Sequence, residues 1–348
     1  MITIAHLMDD FGMGGVTRAL TLFEEPMIKR QARSEVVPVH ADTHLAPKLS
    51  ADLIVDHATI SWSRLPFLIS LRARNPKARI VHIEHSYTRA FEHSEVSTKR
   101  RFRTLLRTAA SLFDDILCVS DAQRDWLSSE VGIARAKLRV IYPWTDRTNL
   151  FTVPAAKPRG SAPLKLLAYG RYAKVKNFGE LIAAMRAFDL AEVELTLFGD
   201  GPDRGQLQAL AADLPHVRVH GPCPEPAEYL KACDAVIIPS RYEAFGLVAT
   251  EARMAARPVI AADVDGLPEQ ACLGGHVAPL GTADDIAKAI GWALRADLPQ
   301  LGASARMGVK RQHTQILHCW SQLIEEVEMA RFHRKAAKNT AVWGRAAA

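Results

Sequence analysis

The chain has 348 residues, 48% of them hydrophobic and 24% charged, with 19 prolines, 20 glycines and a formal net charge of +6. That length suits two domains of about 150–200 residues each, and the composition excludes a fibre or a disordered chain. The positive balance fits an anionic ligand, such as a nucleotide phosphate or an acidic lipid surface, and no nucleic-acid-binding module stands in the sequence.

The first apolar run, residues 2–8, is preceded by no basic leader or cleavage site. No apolar run approaches the ~18 residues that span a bilayer, so the expectation is a cytoplasmic protein, at most peripheral to a membrane. Further strands are predicted at 36–40, 53–56, 79–83, 116–119 and 138–141, with helices at 16–30, 61–73, 97–113 and 122–131. Such alternation predicts a parallel sheet with helices on both faces. Residues 152–163, with three prolines and a glycine, have linker composition.

Alternation restarts with strands at 164–169, 193–198, 217–220, 235–238, 259–261 and 276–277, and helices at 178–188, 204–213, 247–256 and 283–294. Beyond about residue 305 the strand signals stop. Apolar residues Ile316, Cys319, Trp320, Leu323, Ile324 and Val327 then recur at helical spacing. The division predicted is 1–155, 164–305 and a C-terminal helix with its tail at 306–348, the helix packing back toward the first domain and the tail fraying from Lys335. Five dispersed cysteines without a CxxC pair predict buried reduced thiols, not a disulfide framework or a zinc site.

Open parallel sheets bind ligands at the carboxyl ends of their strands, so a ligand shared by two such domains would sit in a cleft between them. At one strand end, residues 239–254 place Glu243 and Glu251 eight positions apart across a loop and a helix start. Phe245 and Gly246 allow close backbone approach, and the amides of Gly246, Leu247 and Val248 are helix-end donors suited to an anion. Glu251, further into the helix, is placed to hydrogen-bond ribose hydroxyls.

This segment resembles the EX7E region of the retaining glycosyltransferases of family 4, which have the GT-B fold, as in glycogen-synthase-like and mannosyltransferase-like enzymes. Other blocks follow in the same order. Gly170-Arg171 with Lys176-Asn177 resembles the family's phosphate clamp, and Gly199-Asp200-Gly201-Pro202 its glycine-rich turn. Gly221-Pro222 resembles the strand end that flanks the donor base, and residues 257–269 the strand and loop after the EX7E helix.

The resemblance implies an α/β protein of two Rossmann-like domains facing a cleft. It also implies transfer of a hexose from a UDP- or GDP-sugar, with retention and without a metal or other cofactor. The acceptor it implies is a saccharide or lipid-linked sugar in surface polysaccharide or glycolipid synthesis. Charge builds on the leaving phosphate as the donor breaks, and fixed cations stabilise it. Arg171 can fork onto two oxygens while Lys176 acts as a point charge. By resemblance Glu243 lies beside the transferred sugar.

In the first half, Gly12, Gly14 and Gly15 resemble the family's first glycine-rich loop, beside the donor phosphates. The rival dinucleotide fingerprint lacks its last glycine, replaced by Thr17, and no acidic residue ends the second strand. His85, after the fourth strand, stands where the family often carries a histidine that contacts the transferred sugar. His82 and Glu84 are near it in sequence, but His82 and His85 would face opposite ways on a strand, so no metal site is predicted. Ser120 reads as a helix N-cap, and Trp144 as an aromatic that stacks near the domain junction. Lys99, Arg100, Arg101, Arg103 and Arg107 share a helix with Phe102, Leu105 and Leu106. That pattern fits weak, salt-sensitive contact with an anionic membrane or a solvated helix face. Two other readings are an inactive GT-B binding protein, and another GT-B enzyme such as a nucleotide-sugar epimerase or an inverting transferase. The intact Arg171, Lys176, Glu243 and Glu251 speak against the first, and the lack of an added acid–base cluster against the second.

Overall fold

A computed structural model describes residues 1–9, 19–40, 42–223, 225–272 and 274–346. The chain forms two compact units. The first comprises Met1–Tyr87, Val96–Pro143 and Thr314–Ala348, and the second Thr88–Glu95 and Trp144–His313.

The first unit is built on six strands: β1 (Ile2–Met8), β2 (Ala32–Pro38), β3 (Leu53–Asp56), β4 (Arg79–Glu84), β5 (Asp115–Cys118) and β6 (Leu138–Val140). Their order is β2-β1-β3-β4-β5-β6, with every pairing parallel. Helices cover both faces of such a sheet, so its central strands are near-continuous apolar runs. β3 and β5 are buried at every position. The chain leaves β1 toward β2 on one side and resumes at β3 on the other. That reversal opens a crevice at the carboxyl edge between β1 and β3.

The C-terminal helix, Leu298–Ala346, contributes its later part to this unit. Ile316, Trp320, Leu323, Ile324 and Val327 are buried, the stripe that a period of 3.6 produces. Its polar edge is tied down as well. Glu326 accepts from Arg79 and Arg139, and Arg331 bonds Asp52 and the carbonyl of Met1.

The second unit repeats the architecture with β7 (Leu164–Tyr169), β8 (Val193–Phe198), β9 (Val217–His220), β10 (Ala235–Ile238), β11 (Val259–Ala262) and β12 (Gly275–Ala278). The order β12-β11-β10-β7-β8-β9 reverses between β7 and β10. Arg257 clasps the linker to this sheet: it is 2% exposed and donates to the carbonyls of Pro154, Lys231, Cys233 and Ala255.

Five expectations need correction. The described part of the helix predicted at 16–30 is a 3-10 turn, Leu20–Glu24, and a short helix, Pro26–Lys29. The proline forces Glu25 before it into extended backbone, with ψ 136°, which breaks the helix. β2 starts at Ala32, not residue 36, because it is an edge strand. Arg33, Ser34 and Glu35 pair with β1 although they carry no apolar signal. The helix expected at 122–131 ends at Trp126 and continues as a π turn, Leu127–Val131. The C-terminal helix begins at Leu298 and passes residue 335, where fraying was expected. Of the cysteines, Cys118 and Cys233 are buried, whereas Cys272 is exposed. Two local expectations hold: the Ser120 hydroxyl caps its helix by accepting from the Gln123 amide, and Trp144 stacks on His313 with centroids 4.3 Å apart.

Among the described residues, no helix is long and apolar enough to cross a membrane. On the basic helix, Lys99–Leu112, the side chains of Phe102, Leu105 and Leu106 are buried within the first unit. Arg103 pairs with Glu130, and Arg107 donates to the carbonyl of Val131. Those apolar residues are therefore not offered to a bilayer.

Candidate active site

The crevice between β7 and β10 gathers most of the second-half residues singled out in the sequence. β7 ends at Tyr169, and the amide of the next residue, Gly170, donates to the carbonyl of Phe198 at the end of β8. The Gly199 amide in turn donates to Gly221, so the ends of three strands lie side by side. A Cβ on Gly199 would stand 1.9 Å from the Gly170 carbonyl oxygen, so only glycine fits. The Tyr172 hydroxyl donates to the His220 carbonyl and braces the same edge. Pro222 is exposed beyond Gly221.

The loop after Gly170 carries both proposed cations, but the structure treats them differently. Lys176 donates to the carboxylate of Glu243. Arg171 is exposed and has no partner among the described residues. The Arg241 amide donates to the Val175 carbonyl, joining the Lys176 loop to the Glu243 loop. The Ser240 hydroxyl lies 3.1 Å from the same carboxylate oxygen of Glu243.

Gly246 precedes the Leu247–Met254 helix with φ 89°, a left-handed conformation, and its Cβ would meet Leu267 at 2.7 Å. Phe245 is buried below it, while Leu247 and Val248 keep part of their surface open. The backbone at this helix start can therefore approach an anion, with Lys176 on the same side of the crevice.

Glu251 lies deeper, at 5% exposure. Its carboxylate accepts from the Tyr169 hydroxyl at 2.8 Å and from Arg147 at 3.3 Å. Burial, then the neighbouring Glu251, push the Tyr169 phenol well above its usual range, so it is a fixed donor. Glu251 is thus one member of a hydrogen-bonded network and not a bare carboxylate.

Sequence reasoning missed Asp265. It is a non-glycine residue at φ 46°, and its carboxylate accepts from the amides of Glu243 at 3.2 Å and Ala90 at 3.1 Å. It ties the loop of Glu243 to the Arg89–Glu95 segment, whose Phe91 packs edge-on against Tyr242. Backbone held in a sparsely populated region beside a functional carboxylate marks a constrained site. An aspartate before glycine is a common turn signal, so its sequence alone did not set it apart.

In the first unit, Gly14 and Gly15 lie outside the described residues. His85 follows β4 and is half-buried. His82, inside the strand, is 1% exposed and faces another set of partners, 3.1 Å from Asp56 and 3.6 Å from Glu84. Burial alone would lower the pKa of His82, but its bonds to Asp56 and Glu84 outweigh that and raise it to about 9. Asp56 also pairs with Arg64 at 2.6 Å. His85 instead contacts a second histidine, His57, at 3.2 Å, and His57 contacts a third, His6, at 3.0 Å. Single histidines at strand ends read as core residues in sequence, so His6 and His57 were not recognised.

Residues 153–308 match the family model described as glycosyl transferases group 1, and residues 25–149 match that of glycosyltransferase family 4. A D-inositol 3-phosphate glycosyltransferase of Catenulispora acidiphila is 36% identical over 177 residues, which is 44% of this chain and 42% of that protein. The glycogen synthase of Mycobacterium tuberculosis is 28% identical over 200 residues, 56% of this chain and 47% of that one. The matches thus span about half the length of these relatives. Among solved structures, Anabaena HepE in complex with UDP and glucose superposes with TM-score 0.72 at 18% identity, covering 93% of this chain and 100% of that one. Sucrose-phosphate synthase from Thermosynechococcus elongatus gives TM-score 0.76 at 20% identity, covering 95% and 100%. With both halves matched by family models in this order, and with two six-stranded parallel sheets in place, the chain is a family 4-like glycosyltransferase of GT-B fold.

Proposed function

We propose that the protein is a retaining, metal-independent hexosyltransferase that takes its sugar from a UDP- or GDP-sugar. The observation that carries this reading is the meeting of Lys176 and Glu243 at the strand-order reversal of the second sheet, beside the helix start at Gly246. A departing diphosphate needs positive charge and amide donors fixed before the bond breaks. Lys176, Arg171 and the amides after Gly246 supply both. Glu243 carries the opposite charge next to them, suited to hydroxyls of the transferred sugar, and Glu251 with Tyr169 and Arg147 forms a polar wall for the ribose. HepE, a structural neighbour, has been seen with UDP and glucose, which supports a nucleotide-sugar donor.

The acceptor proposed is a saccharide or lipid-linked sugar, in synthesis of a surface polysaccharide or glycolipid. Contact with an anionic membrane would come from exposed charges such as Arg100 and Arg101.

The test is a thermal-shift screen of nucleotide sugars in excess chelator, followed by release of nucleoside diphosphate from the best binder. One donor should raise the melting temperature and be slowly hydrolysed with chelator present. Binding without any release would favour an inactive binding protein, and turnover only with added divalent ion would remove the metal-independent mechanism.

Asp265→Gly is expected to lower turnover about tenfold, the scale of a small misplacement of a reacting group. Relief of the left-handed backbone offsets part of the lost hydrogen bonding, so the melting temperature should move little. Unchanged turnover would show that the Glu243 loop does not need this anchor.

A further inference from the structure

His6, His57 and His85 form a file at the carboxyl edge of the first sheet, on β1 and just after β3 and β4. This is where that sheet reverses its strand order. His6 Nδ1 lies 3.0 Å from His57 Nε2, and His57 Nδ1 lies 3.2 Å from His85 Nε2. The rings of His57 and His85 are stacked, 12° apart. At the far end His6 packs edge-on against Phe23, which packs against Trp320.

We propose that His6 and His57 are positioning residues that act through His85, holding it as the neutral tautomer with its proton on Nδ1. The inference rests on the proposed transferase function and on the family resemblance that sets His85 at the transferred sugar.

Each nitrogen-to-nitrogen bond needs one N–H donor and one lone pair. A neutral His57 has one proton and two partners, so it donates to one neighbour and accepts from the other. The file therefore runs in one direction. If it ran from His85 toward His6, the last proton would sit on His6 Nε2. That atom is buried and, among the described residues, has no hydrogen-bond partner. A buried N–H without a partner is rarer and more costly than a bare lone pair. The file must then run the other way: His6 Nδ1–H donates to His57 Nε2, and His57 Nδ1–H donates to His85 Nε2. His85 is left with its proton on Nδ1, the reverse of the tautomer a free histidine favours in water. Among the described residues nothing bonds that nitrogen. It is a fixed neutral donor, suited to a sugar hydroxyl oxygen.

The surrounding charges agree. Burial brings His6 down to about 3, and burial followed by His85, His6 and His82 holds His57 well below its ordinary value. Burial and the charged His82 bring His85 down to about 4, against the opposing pull of Glu84 and Asp56. All three rings are therefore neutral at physiological pH, while His82 holds the positive charge between Asp56 and Glu84.

The test is two-bond nitrogen–proton NMR on the full chain labelled at histidine, with His85→Asn to assign the signal. The wild-type protein should show His85 protonated on Nδ1. His57→Phe should shift that proton to Nε2 and lower kcat about tenfold with KM little changed. Wild-type His85 protonated on Nε2 would overturn the inference, whatever the variant does. A correct wild-type tautomer that shifts in the variant without a change in kcat would uphold the file and remove His85 from the proposed chemistry.

Discussion

Replacing Lys176 by alanine is expected to lower turnover at least ~100-fold while leaving the chain folded, on the scale of removing one transition-state donor. Lys176 is partly exposed, and its one described partner is the Glu243 carboxylate, so its removal leaves no cavity in the core. The loss falls on the chemical step because the pyrophosphate gains charge as the sugar leaves. A contact that strengthens during that change lowers the barrier, whereas one equally good before and after lowers only KM. The ammonium now bonded to Glu243 is the group that would turn to the phosphate on donor binding, and Glu243 would be released toward the sugar. Arg171→Ala is expected to match the effect, since arginine supplies the forked contact a point charge cannot. Steady-state kinetics with the donor found by the thermal screen decides the matter. A rise in KM with kcat unchanged in both variants would remove the phosphate assignment.

Stability is expected to peak near pH 6.5 and to fall on both sides, because two sets of buried histidines titrate in opposite directions. His6 is held neutral by burial, with its pKa lowered from 6.5 to about 3, and His57 is lowered in the same sense. As pH drops below 6.5 the unfolded chain takes up protons that the folded chain refuses. Each such group then costs about 1.4 kcal/mol per pH unit until its folded pKa is reached. His82 has the opposite sign, since its folded pKa is raised to about 9. Its contribution is full below 6.5 and is lost as pH rises from there through about 9. Half-buried His85 adds to the acid side, reduced by solvent screening. Urea midpoints measured from about pH 4 to about pH 9 should trace this peak. A midpoint flat from about 6.5 down to about 4 would show that the histidine file is wet in solution.

Most of the second sheet was legible in the sequence because its central strands are nearly continuous buried apolar runs and glycines follow β7, β8 and β9. Strands 164–169, 193–198, 217–220 and 235–238 fall where apolar runs placed them. Glu243 and Gly246 were legible for a different reason: they stand in one continuous motif, with Lys176 in a separate block before it, and the crevice at β7 and β10 follows from strand order. What escaped was long-range pairing. Asp265 reaches Ala90 across 175 positions of chain and His6 reaches His57 across 51, and no local pattern encodes such partners. The first half of β2 escaped because an edge strand needs no apolar alternation. The early part of the C-terminal helix escaped because buried Leu298, Ala305 and Val309 are spaced among small and polar residues.

The most direct measurement is a crystal structure with the donor nucleotide bound. It should place the pyrophosphate against Lys176 and the amides after Gly246, with Glu243 turned to the sugar and no divalent ion bridging the phosphates. A pyrophosphate lodged away from the ends of β7 and β10, or held there through a metal, would contradict the account.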